Sequence, residues 1–135
     1  MDNNSVNFKK ELADLVLQAD GRAKQFTADK LKTNQIRNFY SAITRIRTEF
    51  EMSYLEEDAE THSPFSPAIE KQLVMLRPKL AYAAGRQIAV RTNFYPFMDS
   101  AIRGVLDSKR DPETLEKFLS IVESVVAYHK FYGGE

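Results

Sequence analysis

Two stretches of the chain carry several basic side chains and no acid, a pattern that suits the binding of an anionic partner. They run from Lys32 to Thr48 and from Lys71 to Met98. Lysine and arginine side chains neutralise phosphate groups without reading a base sequence. The net charge of zero, from 19 basic and 19 acidic residues, hides this segregation. The two stretches therefore predict a basic surface that holds an anion by charge.

Catalytic and metal chemistry has little support in the sequence. The two histidines, His62 and His129, do not have the spacing of a metal site such as His-Glu-x-x-His. His129 stands beside Lys130, where a histidine more often caps a helix end than acts as a general base. The chain has no cysteine and no nucleotide-binding or nucleophile-elbow motif. We therefore expect no catalytic residue, no metal site and no cofactor.

Length and composition place the chain among globular proteins. We expect residues 1–135 to form a single helical domain, because 43% of them are hydrophobic and a chain of this length buries roughly two-thirds of its unfolded surface. No apolar run approaches the ~20 residues that a membrane span requires. Residues 1–5 lack the basic and apolar regions of a secretory signal, so we expect a cytoplasmic protein without membrane contact.

Apolar residues at helical spacing predict the helices that carry the first basic stretch. A first helix is expected from Val6 to Ala19, with Asp20-Gly21 as its end. A second, longer amphipathic helix is expected over residues 31–54.

On this second helix, Arg37, Ser41, Arg45 and Thr48 share a face turned away from the apolar stripe. An ordinary solvated face is the alternative interpretation. Such faces usually interleave glutamate with the cations, however, and this one does not. The pattern therefore leaves a phosphate-binding face and a plain solvated face as two open interpretations.

A third helix is expected to begin with Ser66 as N-cap and Pro67 as its first residue. Pro78 lacks an N–H group, so this helix is expected to kink or restart there before Gly85 ends it. The kink would orient the neighbouring cations of the second basic stretch.

Two more helices complete the predicted fold. A fourth is expected over residues 94–106, and a fifth begins at the cap Asp111-Pro112 and runs over residues 115–132. No segment has the alternation of a strand. We predict an all-α bundle of about five helices, with antiparallel neighbours and one long polar loop near residues 55–66.

Three blocks of the chain resemble the small subunit of the type III-A CRISPR effector, the Csm complex. They are LRPKLAYAAGR at residues 76–86, VAYHKFYGG at residues 126–134, and the stretch from Lys32 to Arg47. The resemblance covers nearly the whole chain, although the helical pattern between these blocks is generic.

The resemblance implies a non-enzymatic all-helical subunit of an RNA-guided antiviral complex. Such a subunit is present in several copies that associate with one another and with other Csm subunits, and it contacts both the guide RNA and the target RNA. Carried onto this chain, the candidate RNA-binding residues are the basic residues of the matching blocks: Lys32, Arg37, Arg45, Arg47, Arg77, Lys79, Arg86 and Lys130.

Several alternatives stay open at the level of sequence. The chain would otherwise be a DNA-binding regulator or a helical protein-binding adaptor. Arg77 or Arg86 would alternatively cap a helix or pair with an internal acid, and Tyr82 and Tyr128 are expected to be packed rather than stacked on bases. The two basic stretches would line one groove or face opposite sides.

Overall fold

The computed structural model describes residues 5–55 and 63–135, and these are helical with short connections. The α-helices are α1 (Leu12–Ala28), α2 (Thr33–Ser53), α3 (Pro67–Arg86), α4 (Tyr95–Asp107) and α5 (Pro112–Phe131). No strand occurs among the described residues. The all-α prediction with about five helices is therefore confirmed. The predicted polar loop, with His62, falls mostly on residues 56–62, outside the described residues.

The first helix differs from its prediction at both ends. α1 begins at Leu12 instead of following Ser5, and it runs through Gly21 to Ala28. Apolar side chains on both sides of the glycine are fully buried. Their packing outweighs the roughly 1 kcal/mol that glycine costs inside a helix. The predicted end at Gly21 is wrong because tertiary burial, and not local propensity, decides where this helix ends.

Two predicted helix starts are confirmed in atomic detail. The Ser66 hydroxyl accepts a hydrogen bond from the Ile69 N–H at 3.2 Å, at the start of α3. The Asp111 carboxylate accepts one from the Thr114 N–H at 3.2 Å, at the start of α5. A proline follows each cap, at a helical position where no N–H group is needed.

Pro78 does not break the third helix. α3 continues through it without a restart and ends at Arg86, one residue after Gly85. The proline deprives the Val74 carbonyl of its helical donor. Both residues are exposed, so water can hydrogen-bond to that carbonyl. The predicted restart is therefore wrong, because the lost bond lies on the solvent side.

A π-helical turn, which no sequence pattern predicted, leads into α4. It spans Val90–Phe94. From it, Arg91 donates to two carbonyls at the end of α3, those of Ala84 at 2.9 Å and Gly85 at 3.1 Å. These carbonyls have no donor within α3, so Arg91 acts as the cap of that helix.

The first and last helices pack extensively on each other and run in the same direction. Near their starts, the Lys117 ammonium donates to the carbonyls of Phe8 and Lys10, each at 3.0 Å. Just after α5, the Tyr132 hydroxyl donates to the carboxylate of Asp20 in the middle of α1, and this hydrogen bond raises the pKa of Tyr132. The N-terminal segment is therefore fixed along α5 at both ends.

Aromatic rings connect α1, α2 and α4 in the core. Phe26 meets Phe94 at 5.3 Å and Phe97 at 6.0 Å between ring centroids. Phe39 of α2 meets Phe94 at 5.7 Å with its ring nearly perpendicular. Edge-to-face pairs of this kind contribute about 0.5–1.5 kcal/mol beyond the burial of their area. They fix α2 against the rest of the bundle.

His129 is buried, and it ties α5 to the segment that precedes α2. Its Nε2 lies 2.6 Å from the carbonyl oxygen of Leu31, and the residue is 1% exposed. Gly134 folds back over the ring so closely that a Cβ there would collide with it. His129 packs in the last turn of α5 as expected, but its ring contacts the Leu31 carbonyl instead of capping a carbonyl of its own helix.

α2 and α3 are antiparallel neighbours, as predicted, whereas the parallel pair of α1 and α5 departs from that prediction. Gln72 near the start of α3 donates to Glu49 near the end of α2. Arg77 in the middle of α3 pairs with Asp99 near the start of α4. No helix in the described part of the chain is long and apolar enough to cross a membrane.

We expect Gly21→Ala to raise the free energy of unfolding by about 0.5–1 kcal/mol, because alanine favours a helix and nothing lies within 4 Å of its Cβ. Urea denaturation followed by circular dichroism measures this change. Gly133→Ala is the matched control: its Cβ is equally unobstructed, but φ is 92°, so the variant should be less stable. A loss of stability in Gly21→Ala would contradict the continuous α1.

Candidate nucleic-acid interface

A groove of about 740 Å³ lies between α2 and α3. The N-terminal half of α2 forms one wall, and the C-terminal half of α3 forms the other. The two predicted basic stretches lie mainly on these two helices, so the structure answers the question that the sequence left open. Both stretches contribute to one groove.

Arg45, Lys79 and Arg86 line this groove, and all three are exposed. Lys79 and Arg86 are separated by two helical turns and share a face of α3. Within the described part of the chain, the side chains of Arg45 and Lys79 have no hydrogen bond and no ion pair. The groove therefore presents uncompensated positive charge from both walls.

No Asp or Glu is among the described residues that line the groove. The first acid on α2 is Glu49, one turn beyond Arg45, and its carboxylate accepts a hydrogen bond from Gln72. Grooves lined by one sign of charge focus the electrostatic potential on what they bind. The groove suits an anion that extends along both helices.

Amide and apolar side chains complete the groove. Asn34 and Asn38 of α2 face Gln87, which follows α3, and Met75 and Pro78 add apolar surface. No hydrogen bond engages the three amide side chains within the described residues, so they are available to a ligand. No sequence pattern predicted them, because isolated amides have no distinctive spacing.

Tyr82 is exposed in the groove, contrary to the expectation that it is packed. Its exposed fraction is 68%. The Arg86 guanidinium lies 5.7 Å from the centre of the Tyr82 ring. Tyr128, by contrast, is half-buried and stacks on Tyr132 with 6.4 Å between ring centroids. The packing prediction is therefore wrong for Tyr82 and confirmed for Tyr128.

Arg77 is half-exposed, forms an ion pair with another residue of the chain and does not line the groove. Its Nε lies 2.9 Å from Oδ1 of Asp99, whose side chain is 13% exposed, and Arg103 approaches the other oxygen at 3.4 Å. The hydrogen bond to Asp99 raises the pKa of Arg77. Cationic partners of this kind offset the desolvation free energy of a largely buried carboxylate. For Arg77, the open alternative of an internal acid pair is the observed one.

The other predicted residues lie outside the groove. Arg47 bonds to Glu123 of α5 at 3.0 Å, which joins α2 to α5. Lys32 precedes α2, and its backbone N–H closes the first turn of that helix. Arg37 and Lys130 are exposed elsewhere on the surface. The eight predicted residues are therefore divided between one shared groove, ion pairs with other residues of the chain, and separate surface positions.

The chain matches the family model described as Csm2 type III-A over residues 9–135. A Streptococcus thermophilus protein named CRISPR system Cms protein Csm2 is 32% identical over 135 residues, which cover 99% of this chain and 95% of the relative. A protein of the same name from Enterococcus italicus is 28% identical over 112 residues, which cover 83% of this chain and 75% of the relative. No solved structure gives a significant match.

We expect Arg77→Ala to lower the free energy of unfolding by about 1–2 kcal/mol, since Asp99 then keeps only the longer contact to Arg103. Lys79→Ala, which removes the same charge from the same helix, should change it by less than about 0.5 kcal/mol. Urea denaturation measures both values. Equal effects of the two variants would contradict the division into internal and free cations.

Proposed function

Because the chain belongs to the Csm2 family of type III-A CRISPR systems, we propose that it is a non-catalytic small subunit of an RNA-guided Csm complex. In this proposal it binds the backbone of the guide and target RNA without sequence preference, and it scaffolds the assembly of the complex in antiviral defence. The names of its relatives state only that those proteins belong to a CRISPR system, and the RNA-binding and scaffolding roles go beyond those names.

The groove between α2 and α3 is the observation that supports RNA binding most strongly. Arg45, Lys79 and Arg86 present positive charge there without a described acid beside them. Binding of such side chains to phosphates releases counterions, which provides affinity for any RNA sequence. Base-specific recognition would need paired donors and acceptors aimed at base edges, and the proposal does not require them.

The proposed scaffolding role assigns other surfaces to protein partners. Leu17 of α1 is 69% exposed and Ile88, just after α3, is 72% exposed. Single exposed apolar side chains are common on proteins, so neither residue alone identifies an interface. In an assembled complex, burial of a leucine or isoleucine contributes about 1.5–3 kcal/mol. We propose that further copies of this chain or other Csm subunits cover these side chains.

The first test of the proposal is a triple variant, Arg45→Ala, Lys79→Ala and Arg86→Ala. Fluorescence anisotropy with single-stranded RNA across a salt series should show weaker binding. The slope of log K against log salt is negative, and it should become shallower by about two. Each lost phosphate contact removes roughly 0.7 from the size of this slope. Helicity should not change, because all three side chains are exposed.

A second triple variant, Lys9→Ala, Lys10→Ala and Lys24→Ala, is the matched control. It removes the same charge from exposed positions outside the groove. RNA affinity close to that of the wild type is expected for this control. Equal losses of RNA affinity in both variants would show that RNA is attracted by the overall charge of the protein. This outcome would contradict binding in the groove. Preference for one duplex DNA sequence would favour a regulator, and absence of any nucleic-acid binding would favour a protein adaptor.

The double variant Leu17→Gln and Ile88→Gln tests the scaffolding role separately. We expect reduced recovery of this variant with the other Csm subunits when the complex is purified by affinity and size exclusion. Affinity of the isolated chain for RNA should remain that of the wild type, because both side chains lie outside the groove. Undiminished recovery of the complex would remove these two residues from the proposed interface.

A further inference from the structure

We propose that the groove receives an unpaired nucleotide of RNA and that the base of this nucleotide stacks on the Tyr82 ring. The inference rests on the proposed function, because it names the form of RNA that the same groove takes. It adds a specific contact to the base, where the proposed function requires contacts to phosphates alone.

The exposure of Tyr82 is the first argument. A tyrosine residue that is 68% exposed leaves apolar ring surface in contact with water, in a groove that cations also line. A nucleobase offers a flat π-face of similar size, and every base has one. Stacking would therefore cover this surface without introducing a preference for one sequence.

The side chains around Tyr82 suit a base as well as its phosphate. The Arg86 guanidinium lies 5.7 Å from the ring centre and its Nη1 lies 3.5 Å from the hydroxyl, so both groups occupy the same part of the groove. Pro78 is one turn earlier on α3 and also lines the groove. An apolar ring face beside a cation matches the base and phosphate of a single nucleotide.

The amides supply the remaining contacts. Asn34, Asn38 and Gln87 have no described partner for their side chains, and they line the same groove. Amide groups both donate and accept hydrogen bonds. They suit the exposed edge of an unpaired base, or the ribose 2′-hydroxyl by which proteins distinguish RNA from DNA.

The size of the groove favours a single strand over a duplex. Its volume of about 740 Å³ lies within the range of about 300–1,000 Å³ that small-ligand pockets occupy. The bases of an RNA duplex are stacked inside the helix and show proteins only their edges. A duplex can therefore contact the cations at the rim, but it cannot place a base on Tyr82.

The experiment compares Tyr82→Leu with Tyr82→Phe, since leucine removes the π-face and phenylalanine keeps it. Anisotropy with single-stranded RNA should show about a 10-fold loss of affinity for Tyr82→Leu and less than a 2-fold loss for Tyr82→Phe. Binding of a blunt RNA duplex should be equal in both variants and the wild type. Tyr82 is exposed, so both variants should fold, and circular dichroism checks this.

Photocross-linking to RNA that carries 5-iodouridine gives a second, independent measurement. Trypsin releases residues 80–86 as one peptide, in which Tyr82 is the one aromatic residue. We expect the cross-link on this peptide in the wild type and in Tyr82→Phe, and its loss in Tyr82→Leu. A cross-link confined to other peptides would overturn the inference.

The outcomes separate this inference from the proposed function. If the triple groove variant loses RNA affinity while Tyr82→Leu keeps it, the stacking contact is refuted and the phosphate-binding groove stands. If neither variant loses affinity, both proposals fail. If Tyr82→Leu binds RNA normally but is absent from the purified Csm complex, Tyr82 contacts a protein and the inference is overturned.

Discussion

The offset between apolar and basic residues along α2 and α3 is the constraint on which the groove depends. On α3, Leu76, Leu80 and Ala84 are buried at intervals of four residues. Lys79 lies between Leu76 and Leu80, and Arg86 follows Ala84 by two residues, so burial of the apolar face leaves both side chains exposed in the groove. Hydrophobic packing supplies the energy, since each buried leucine contributes about 1.5–3 kcal/mol, and the charged side chains follow its geometry.

The sequence predicted the helices well wherever the signal was local. The caps at Ser66 and Asp111 and the long periodicity of α2 needed no information from distant residues. The errors at Gly21 and Pro78 have different causes: packing of the buried side chains around Gly21 outweighs its low helix propensity, and at Pro78 the lost hydrogen bond lies on the solvent side. For the site, sequence predicted which cations exist, but not which ones are free. Arg77 and its acid Asp99 are 22 residues apart, and such pairs are visible only in the fold.

The cations of this neutral chain therefore have two kinds of task. Arg77, Arg47 and Arg91 stabilise the bundle by neutralising a buried acid, joining two helices and capping a third. Arg45 and Lys79 make no such contact within the described residues. Their free charge costs little in water, because they are exposed, and it becomes useful only when an anion displaces counterions. A count of basic residues does not separate these tasks.

The parallel packing of α1 on α5 has a consequence for how the chain folds during its synthesis on the ribosome. The buried face of α1 packs mainly on α5, which is translated about 100 residues later, although Phe26 at its end also meets Phe94 and Phe97. Contacts between such distant segments slow folding, because a long loop must close before they form. Most of the apolar face of α1 therefore stays without its main packing partner until the end of synthesis, and such exposed apolar surface favours aggregation in the nascent chain.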